Sequence, residues 1–215
     1  MSSIDLIQIV AMILSLAVAI IGHEIMHGLT AFKYGDPTAK MQGRLSINPI
    51  VHVDIVGTII VPALLYFSNA PFLFGWAKPV PVNMQVVING GGYNGAIAVS
   101  LAGIAYNFAL AILCSLILGF LPHATTFFGA FVEYFLYFSV IYNVVLGVFN
   151  LFPIPPLDGA NAVMYLSLKM KMFKFAEFMR KIFPYGMVLL IVVLATPISQ
   201  FIFLPAFYII KLLLD

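Results

Sequence analysis

Charged residues are scarce in this chain of 215 residues: they make up 8% of it, whereas 63% of its residues are hydrophobic. Soluble domains usually carry about 25% charged residues, so this composition excludes an ordinary soluble protein and indicates an integral membrane protein. The net charge of +2 is too small to favour a nucleic-acid partner. The single cysteine excludes both an intramolecular disulfide and a zinc cluster built on thiolates.

Long apolar runs predict an all-α membrane protein, because about 20 apolar residues in a helix cross a bilayer. Three runs predict full spans: 4–32, 96–121 and 127–152. Residues 55–67 are apolar but short and contain Pro62, which favours a tilted or re-entrant segment. Together with the apolar stretch 184–214, divided by Pro197 and Pro205, we expect about five to six transmembrane or re-entrant helical segments.

The stretches between these runs differ in composition. Residues 69–95 are rich in proline, glycine and asparagine, which predicts a loop with room for short strands. Residues 160–183 place basic residues among apolar ones, which predicts an interfacial amphipathic helix or a basic connecting hairpin. We expect one membrane-embedded domain over 1–215, with a core at 4–160 and a helical extension at 160–215.

Small residues in the 96–121 run predict the face on which a neighbouring helix packs. Four alanines follow helical spacings of four, three and four: Ala98, Ala102, Ala105 and Ala109. Such a stripe lets two helix backbones approach closely inside a membrane.

A metal-binding pattern lies in the first apolar run, where the chain reads His23-Glu24-Ile25-Met26-His27. Residues four apart share a face of a helix, so His23 and His27 can bind one Zn²⁺ ion. Glu24 stands beside them, where a carboxylate can activate water as a general base. Ionisable side chains in an apolar helix are costly, so this pattern predicts metal-assisted hydrolysis at membrane depth.

A third zinc ligand must come from elsewhere in the chain, since catalytic zinc usually has three protein ligands. Soluble metzincins place a histidine six residues after the second one, where this chain has Lys33. Asp158 follows a proline-broken helix, and irregular backbone at membrane depth implies a cavity. Asp158 is therefore the preferred third ligand, and His52 is the alternative.

Basic residues predict the orientation of the chain in its membrane. Lys33, Lys40 and Arg44 follow the first predicted span, and a basic cluster at 169–181 follows the third. The positive-inside rule places both regions in the cytoplasm, provided that residues 55–95 return to the side they left. The predicted metal site then lies nearer the cytoplasmic face.

A second motif carries a family resemblance. The stretch Asn150-Leu-Phe-Pro-Ile-Pro-Pro-Leu-Asp158-Gly159 resembles the N-x-x-P-x-P-x-x-D-G motif of the site-2 proteases, the intramembrane zinc metalloproteases of the M50 class. The segments 44–49, 54–58 and 75–83 are similar to those of a compact bacterial branch without PDZ or CBS domains. The likeness covers roughly residues 20–160. It departs at Gly103-Ile-Ala-Tyr-Asn107, where the family often has a proline.

The resemblance implies a set of roles for these residues. His23, His27 and Asp158 would bind one zinc ion per chain, and Glu24 would be the general base. Asn150, and with it Asn107, would contact the substrate backbone or the oxyanion, and the alternative for each is an ordinary hydrogen bond between helices. The substrate would be a transmembrane segment of another membrane protein, cleaved in the inner membrane of a bacterium by an enzyme that also contacts membrane lipid.

Two other functions remain open from the sequence. One is a catalytically inactive homologue that binds membrane proteins, although an inactive copy has no need to keep Glu24. The other is a metal transporter that uses the three ligands as a transit site, but such a path needs further ligands, and His123 is almost alone between Lys78 and Glu133. The Pro-Val-Pro-Val stretch at 79–82 is either a surface loop or an edge that pairs with an extended substrate.

Overall fold

The computed structural model describes residues 3–68, 75–122 and 124–215, and within these ranges it contains helices and no strand. The predicted all-α class is confirmed. A π-helical turn at Ile55–Ile60 leads into the third helix, and short 3₁₀ turns lie at Pro49–His52 and Phe183–Tyr185. The α-helices are α1 (Ser3–Lys33), α2 (Thr38–Met41), α3 (Val61–Phe67), α4 (Met84–Phe120), α5 (Phe127–Leu151), α6 (Asp158–Lys169), α7 (Phe173–Ile182), α8 (Gly186–Ala195) and α9 (Ile198–Leu214).

Four helical stretches are long and apolar enough to cross a bilayer: Asp5–Lys33, Met84–Phe120, Phe127–Leu151 and Phe173–Ala195. Many of their large apolar side chains point outward, and Ile13, for example, is 62% exposed. Contiguous apolar surface of this extent is unfavourable in water and suits lipid. The chain is therefore a membrane protein. The shorter apolar stretch Ile55–Phe67 contains 13 residues, in keeping with the tilted or re-entrant segment predicted there.

Helices α1, α4 and α5 pack against one another and form the centre of the protein. The buried face of α1 is a row of small residues four apart, Ala11, Ser15 and Ala19, and the row continues into His23. Small side chains bring the neighbouring helices close, so the histidine motif lies where three helices meet.

The packing face of α4 differs from the predicted alanine stripe. Of the four alanines, Ala102 is buried, whereas Ala105 and Ala109 are exposed. The contact face instead follows the row Gly103, Asn107 and Ala111. One face of α4 packs on protein and the other suits lipid, and both consist of apolar or small residues. Composition therefore did not show which face packs.

The start of α4 corrects the prediction of a loop over residues 69–95. The helix begins at Met84, capped by the Asn83 side chain, which accepts hydrogen bonds from the next turn. Gly92 lies inside it with φ 61°, a left-handed conformation that bends the helix. A Cβ atom on Gly90 would lie 2.2 Å from the Tyr34 carbonyl oxygen. The glycine run therefore marks a kink and a close contact. Residues 69–74 of the predicted loop lie outside the described ranges.

The C-terminal extension forms two helical pairs. Residues 160–183 are helical on both sides of a turn at 170–172, where Lys171 has φ 60°. The second of these helices, α7, continues into α8 as the helical stretch Phe173–Ala195, so the predicted basic stretch does not end at residue 183. The first helix, α6, packs against α4. Pro197 separates α8 from α9 as expected, whereas Pro205 lies inside α9 without ending it.

Candidate metal centre

Two histidines of α1 and the first residue of α6 meet in the interior. The Nε2 atoms of His23 and His27 are 3.0 Å apart. Asp158 Oδ2 lies 3.0 Å from the first of these nitrogen atoms and 3.1 Å from the second. Among the described residues, these three side chains are the group of histidine, cysteine and carboxylate residues that could hold a metal ion.

Hydrogen bonds behind the histidines set their tautomers. His23 Nδ1 lies 2.6 Å from Asn107 Oδ1, and His27 Nδ1 lies 2.7 Å from the Val99 carbonyl oxygen. Both partners are acceptors, because the Asn107 amide nitrogen is used for donation elsewhere, so each Nδ1 carries the hydrogen. Each Nε2 then presents a lone pair toward Asp158.

The donor set fits a zinc ion. Two imidazole nitrogen atoms and a carboxylate oxygen converge, and a cation at their centre would bind all three. Zinc bonds of about 2.0–2.1 Å at tetrahedral angles separate neighbouring donor atoms by about 3.3 Å. The observed separations of 3.0–3.1 Å are close to that value. Nitrogen and oxygen donors in this number are typical of catalytic zinc, which has three protein ligands.

The chain around Asp158 is shaped to bring it to the histidines. The broken end of α5 turns sharply into α6, and a Cβ atom on Gly159 would lie 2.1 Å from the Leu151 carbonyl oxygen. Asp158 is the first residue of α6, and the residue at its N-cap, Leu157, supplies no side-chain cap hydrogen bond. The Asp158 carboxylate contacts His23 and His27 across 135 and 131 residues of sequence. A role for Asp158 as a helix cap alone is therefore not supported.

A buried amide network supports His23 from behind. Asn107 is fully buried, and its Nδ2 donates to Asn143 Oδ1 at 2.8 Å and to the Ala19 carbonyl oxygen at 3.2 Å. Asn143 in turn donates to the Ser139 carbonyl oxygen. The network links α1, α4 and α5 and orients the imidazole. Its geometry favours a positioning role for Asn107 over the predicted contact with substrate.

Sequence reasoning did not find Asn143. It lies in the predicted span 127–152, and an amide in such a run is a signal for a polar contact between helices. Its partner lies 36 residues away on another helix, so the signal alone does not name the contact.

Two other residues that the sequence singled out make their hydrogen bonds outside the cluster. Asn150 donates through Nδ2 to the Leu146 carbonyl oxygen of its own helix, so its contact with substrate stays a prediction. His52, the alternative third ligand, is buried, and its Nε2 lies 2.8 Å from the Ser46 carbonyl oxygen. The structure therefore favours Asp158 over His52 as the third member of the site.

The base predicted from the sequence, Glu24, lies on a neighbouring face of α1. Its Oε2 accepts a hydrogen bond of 2.7 Å from the main-chain N–H of Val80. Val80 belongs to residues 75–83, which form neither helix nor strand and contact α1 through Val80; we call them the crossing segment. This contact joins the histidine motif to the Pro-Val-Pro-Val stretch.

Gly103 leaves room for the His23 ring, which gives a testable prediction. A Cβ atom at Gly103 would lie 2.6 Å from three atoms of that imidazole. We expect Gly103→Ala to displace the ring and to lower zinc affinity by about 10- to 100-fold, the usual cost of disturbing the support of a ligand. Zinc titration of the purified variant measures this effect.

Gly119→Ala is the matched control, because Gly119 lies in the same helix with open space around its Cβ position. Alanine there should leave zinc affinity unchanged. Equal affinity in the two alanine variants would show that the His23 ring does not depend on the space at Gly103.

Comparisons with known proteins agree with this site. The family model for peptidase family M50 matches residues 124–194, which include Asp158. The chain is 34% identical over 202 residues to a protein of Bacillus subtilis (strain 168) named "Putative zinc metalloprotease YwhC", and the match covers 90% of this chain and 84% of that protein.

A second relative, from Mycolicibacterium smegmatis (strain ATCC 700084 / mc(2)155), is named "Putative zinc metalloprotease Rip2". The chain is 30% identical to it over 142 residues, which cover 66% of this chain and 51% of the relative. No solved structure matches the chain. The first relative is aligned along most of both proteins, and both relatives are named as zinc enzymes. The chain is therefore a zinc metalloprotease that belongs to the site-2 proteases of peptidase family M50.

Proposed function

We propose that this metalloprotease hydrolyses peptide bonds in or near the transmembrane segments of other membrane proteins. The proposal depends on the position of His23, His27 and Asp158, which we call the donor cluster. His23 lies ten residues before Lys33, the last residue of α1, which is about 15 Å at 1.5 Å per residue. The hydrocarbon core of a bilayer is about 30 Å thick, so a site at that distance from the end of a spanning helix would lie within it.

One zinc ion would be held by His23, His27 and Asp158 and, when bound, supplies Lewis acidity toward a peptide carbonyl and toward water. Glu24 would accept a proton from water as the water oxygen adds to the scissile carbonyl carbon. It would then give that proton to the amine nitrogen as the C–N bond breaks. Asn107 and Val99 hold the two imidazoles in the tautomer that this arrangement requires.

The substrate would bind in extended form, because a helix hides its own peptide groups. The crossing segment turns the N–H and carbonyl groups of Trp76 and Lys78 inward: their N–H groups donate to the Gly57 and His52 carbonyl oxygens. Groups of alternate residues in an extended chain point to opposite sides. The outer edge of the crossing segment is therefore formed by Ala77, Pro79 and Pro81. Its two prolines offer carbonyl oxygens but no N–H. We propose that an unwound substrate pairs there through its own N–H groups.

Cleavage of designed reporters tests the function. Purified enzyme and a single-span reporter protein are placed in the same phospholipid vesicles. One reporter carries a helix-destabilising sequence inside its apolar run, and a second carries the same sequence in its soluble tail. We expect mass spectrometry to find cuts inside the run, and removal of zinc by a chelator should abolish them. Cutting confined to the soluble tail would contradict intramembrane proteolysis. N-methylation of reporter amides beside the cut should raise KM if the outer edge binds substrate.

The same reporters give the depth of the cut when they are expressed with the enzyme in bacterial cells. We propose a location in the cytoplasmic membrane with the site nearer the cytoplasmic face, because Lys33, Lys40 and Arg44 follow the end of α1 that is close to His23. Fragment masses should then place the cut in the cytoplasmic half of the reporter span. Cuts in the outer half would reverse the proposed orientation.

A further inference from the structure

The crossing segment is held along its length by the rest of the protein. Arg44 Nη2 donates to the Lys78 carbonyl oxygen at 2.6 Å, and Thr58 Oγ1 donates to that of Trp76 at 2.9 Å. At the far end, the Asn83 N–H donates to the buried Asp36 carboxylate at 2.6 Å. A segment fixed at both ends and in the middle presents its remaining groups in defined positions.

Val80 occupies the stiffest part of this segment. The two flanking prolines, Pro79 and Pro81, fix their own φ angles, and a residue before proline is restricted to extended conformations. The Val80 side chain is 7% exposed. It packs on α1, where a Cβ atom at Gly28 would lie 2.9 Å from Val80 Cγ1. The direction of the Val80 N–H group is therefore set by its surroundings.

That N–H group donates to Glu24, one helical turn before Gly28. The bond of 2.7 Å engages Oε2 of the carboxylate. Residues four apart share one face of a helix, so Glu24 and Gly28 both face the crossing segment while His23 and His27 carry the donor cluster. The crossing segment and the donor cluster therefore lie on two sides of the same turns of α1.

We propose that the main-chain N–H of Val80 is a positioning group for Glu24. It holds one oxygen of a side chain that otherwise has three rotatable bonds, and it leaves the second oxygen to accept the proton of the reacting water. Restricting a catalytic group to its productive orientation raises kcat without requiring a change in substrate binding. The inference rests on the proposed role of Glu24 as general base.

Two substitutions at position 80 separate the N–H group from the side chain. Val80→Pro removes the N–H and replaces the buried isopropyl group by the proline ring, whereas Val80→Ala shortens the side chain and keeps the N–H. We expect Val80→Pro to lower kcat on the best vesicle reporter by roughly 10- to 100-fold, the weight of a hydrogen bond to a charged group. Val80→Ala should keep a kcat well above that value, and both variants should keep the wild-type zinc content.

A backbone ester tests the same bond if Val80→Pro does not fold. Val80 is replaced by the α-hydroxy acid with the same side chain through nonsense suppression, which exchanges N–H for oxygen. The ester also weakens the Pro79 carbonyl as an acceptor, which would act on KM, so kcat and KM are measured separately. The matched control is the same ester at Val82, which weakens the Pro81 carbonyl in the same way and should therefore change KM alone and keep the wild-type kcat.

Infrared spectroscopy gives a readout that does not depend on turnover. The chain has three glutamates, Glu24, Glu133 and Glu177. In protein labelled with ¹³C-glutamate, the ester at Val80 should shift one carboxylate band, the band that is absent in Glu24→Gln. The ester at Val82 should shift none.

The outcomes distinguish the inference from the proposed function. A shifted band together with a wild-type enzyme that cuts no reporter would leave the hydrogen bond established and would remove the proposed function, and with it the catalytic role of Val80. An unchanged kcat in the Val80 ester would overturn the inference while proteolysis stands. A raised kcat would also overturn it, since the N–H would then restrain the base and inhibit the enzyme.

Discussion

Glu24→Gln is expected to keep zinc and to lose proteolysis. Glutamine has the shape of glutamate and still offers a carbonyl oxygen to the Val80 N–H, but it cannot take a proton at neutral pH. General acid–base catalysis contributes roughly 100- to 10,000-fold to a rate, so kcat should fall by that factor. Initial rates on the vesicle reporter, measured beside zinc content by elemental analysis, check both parts of the prediction.

Glu177→Gln is the matched control for this experiment. Glu177 is exposed on α7 and pairs with Lys181 at 3.0 Å, away from the histidine motif. Its amide variant should cleave the reporter at the wild-type rate. A Glu24→Gln protein that retains activity would show that another group removes the proton from water, and the proposed mechanism would be wrong at that step.

Asp158→Ala is expected to empty the metal site. Disturbing a group that only supports a ligand already costs about 10- to 100-fold in metal affinity, and loss of a direct ligand should cost more than 100-fold. Two imidazoles four residues apart would remain, which is fewer than the three protein ligands of catalytic zinc. Zinc content per chain, measured after purification in detergent, should fall from about one to near zero.

Two further variants, Asp215→Ala and His52→Ala, show whether the loss of zinc is specific to Asp158. Asp215→Ala removes an exposed carboxylate at the end of the chain and should keep zinc. If zinc content does not respond to Asp158→Ala but falls in His52→Ala, His52 would be the third ligand. Circular dichroism of each variant separates loss of metal from loss of the fold, since Asp158 is also the first residue of α6.

The histidine pair could be predicted from the sequence because its geometry is local. A spacing of four residues puts two side chains on one face of any helix, whatever surrounds it. Three of the four spans were also predictable, because the bilayer sets their length and a run such as 127–152 meets it. The fourth, Phe173–Ala195, begins among basic residues and was not predicted. Asp158 could be selected because charge is rare in this chain and because its motif resembles that of a family. Its contact with His27 across 131 residues is a property of the fold.

Tertiary structure alone decided which side of each helix is buried. In water, polar residues mark the outer face, but in lipid both faces are apolar, and the exposed Ala105 resembles the buried Ala111. It also decided that the glycines at 90–92 belong to a helix. Glycine lowers helix propensity and therefore predicts a loop, but here Tyr34 lies too close to the helix for a larger residue at positions 90 and 91. The bond from Val80 to Glu24 is made by a main-chain group, which every residue except proline possesses. The sequence determines the chemistry that is available, and packing determines which of these groups meet.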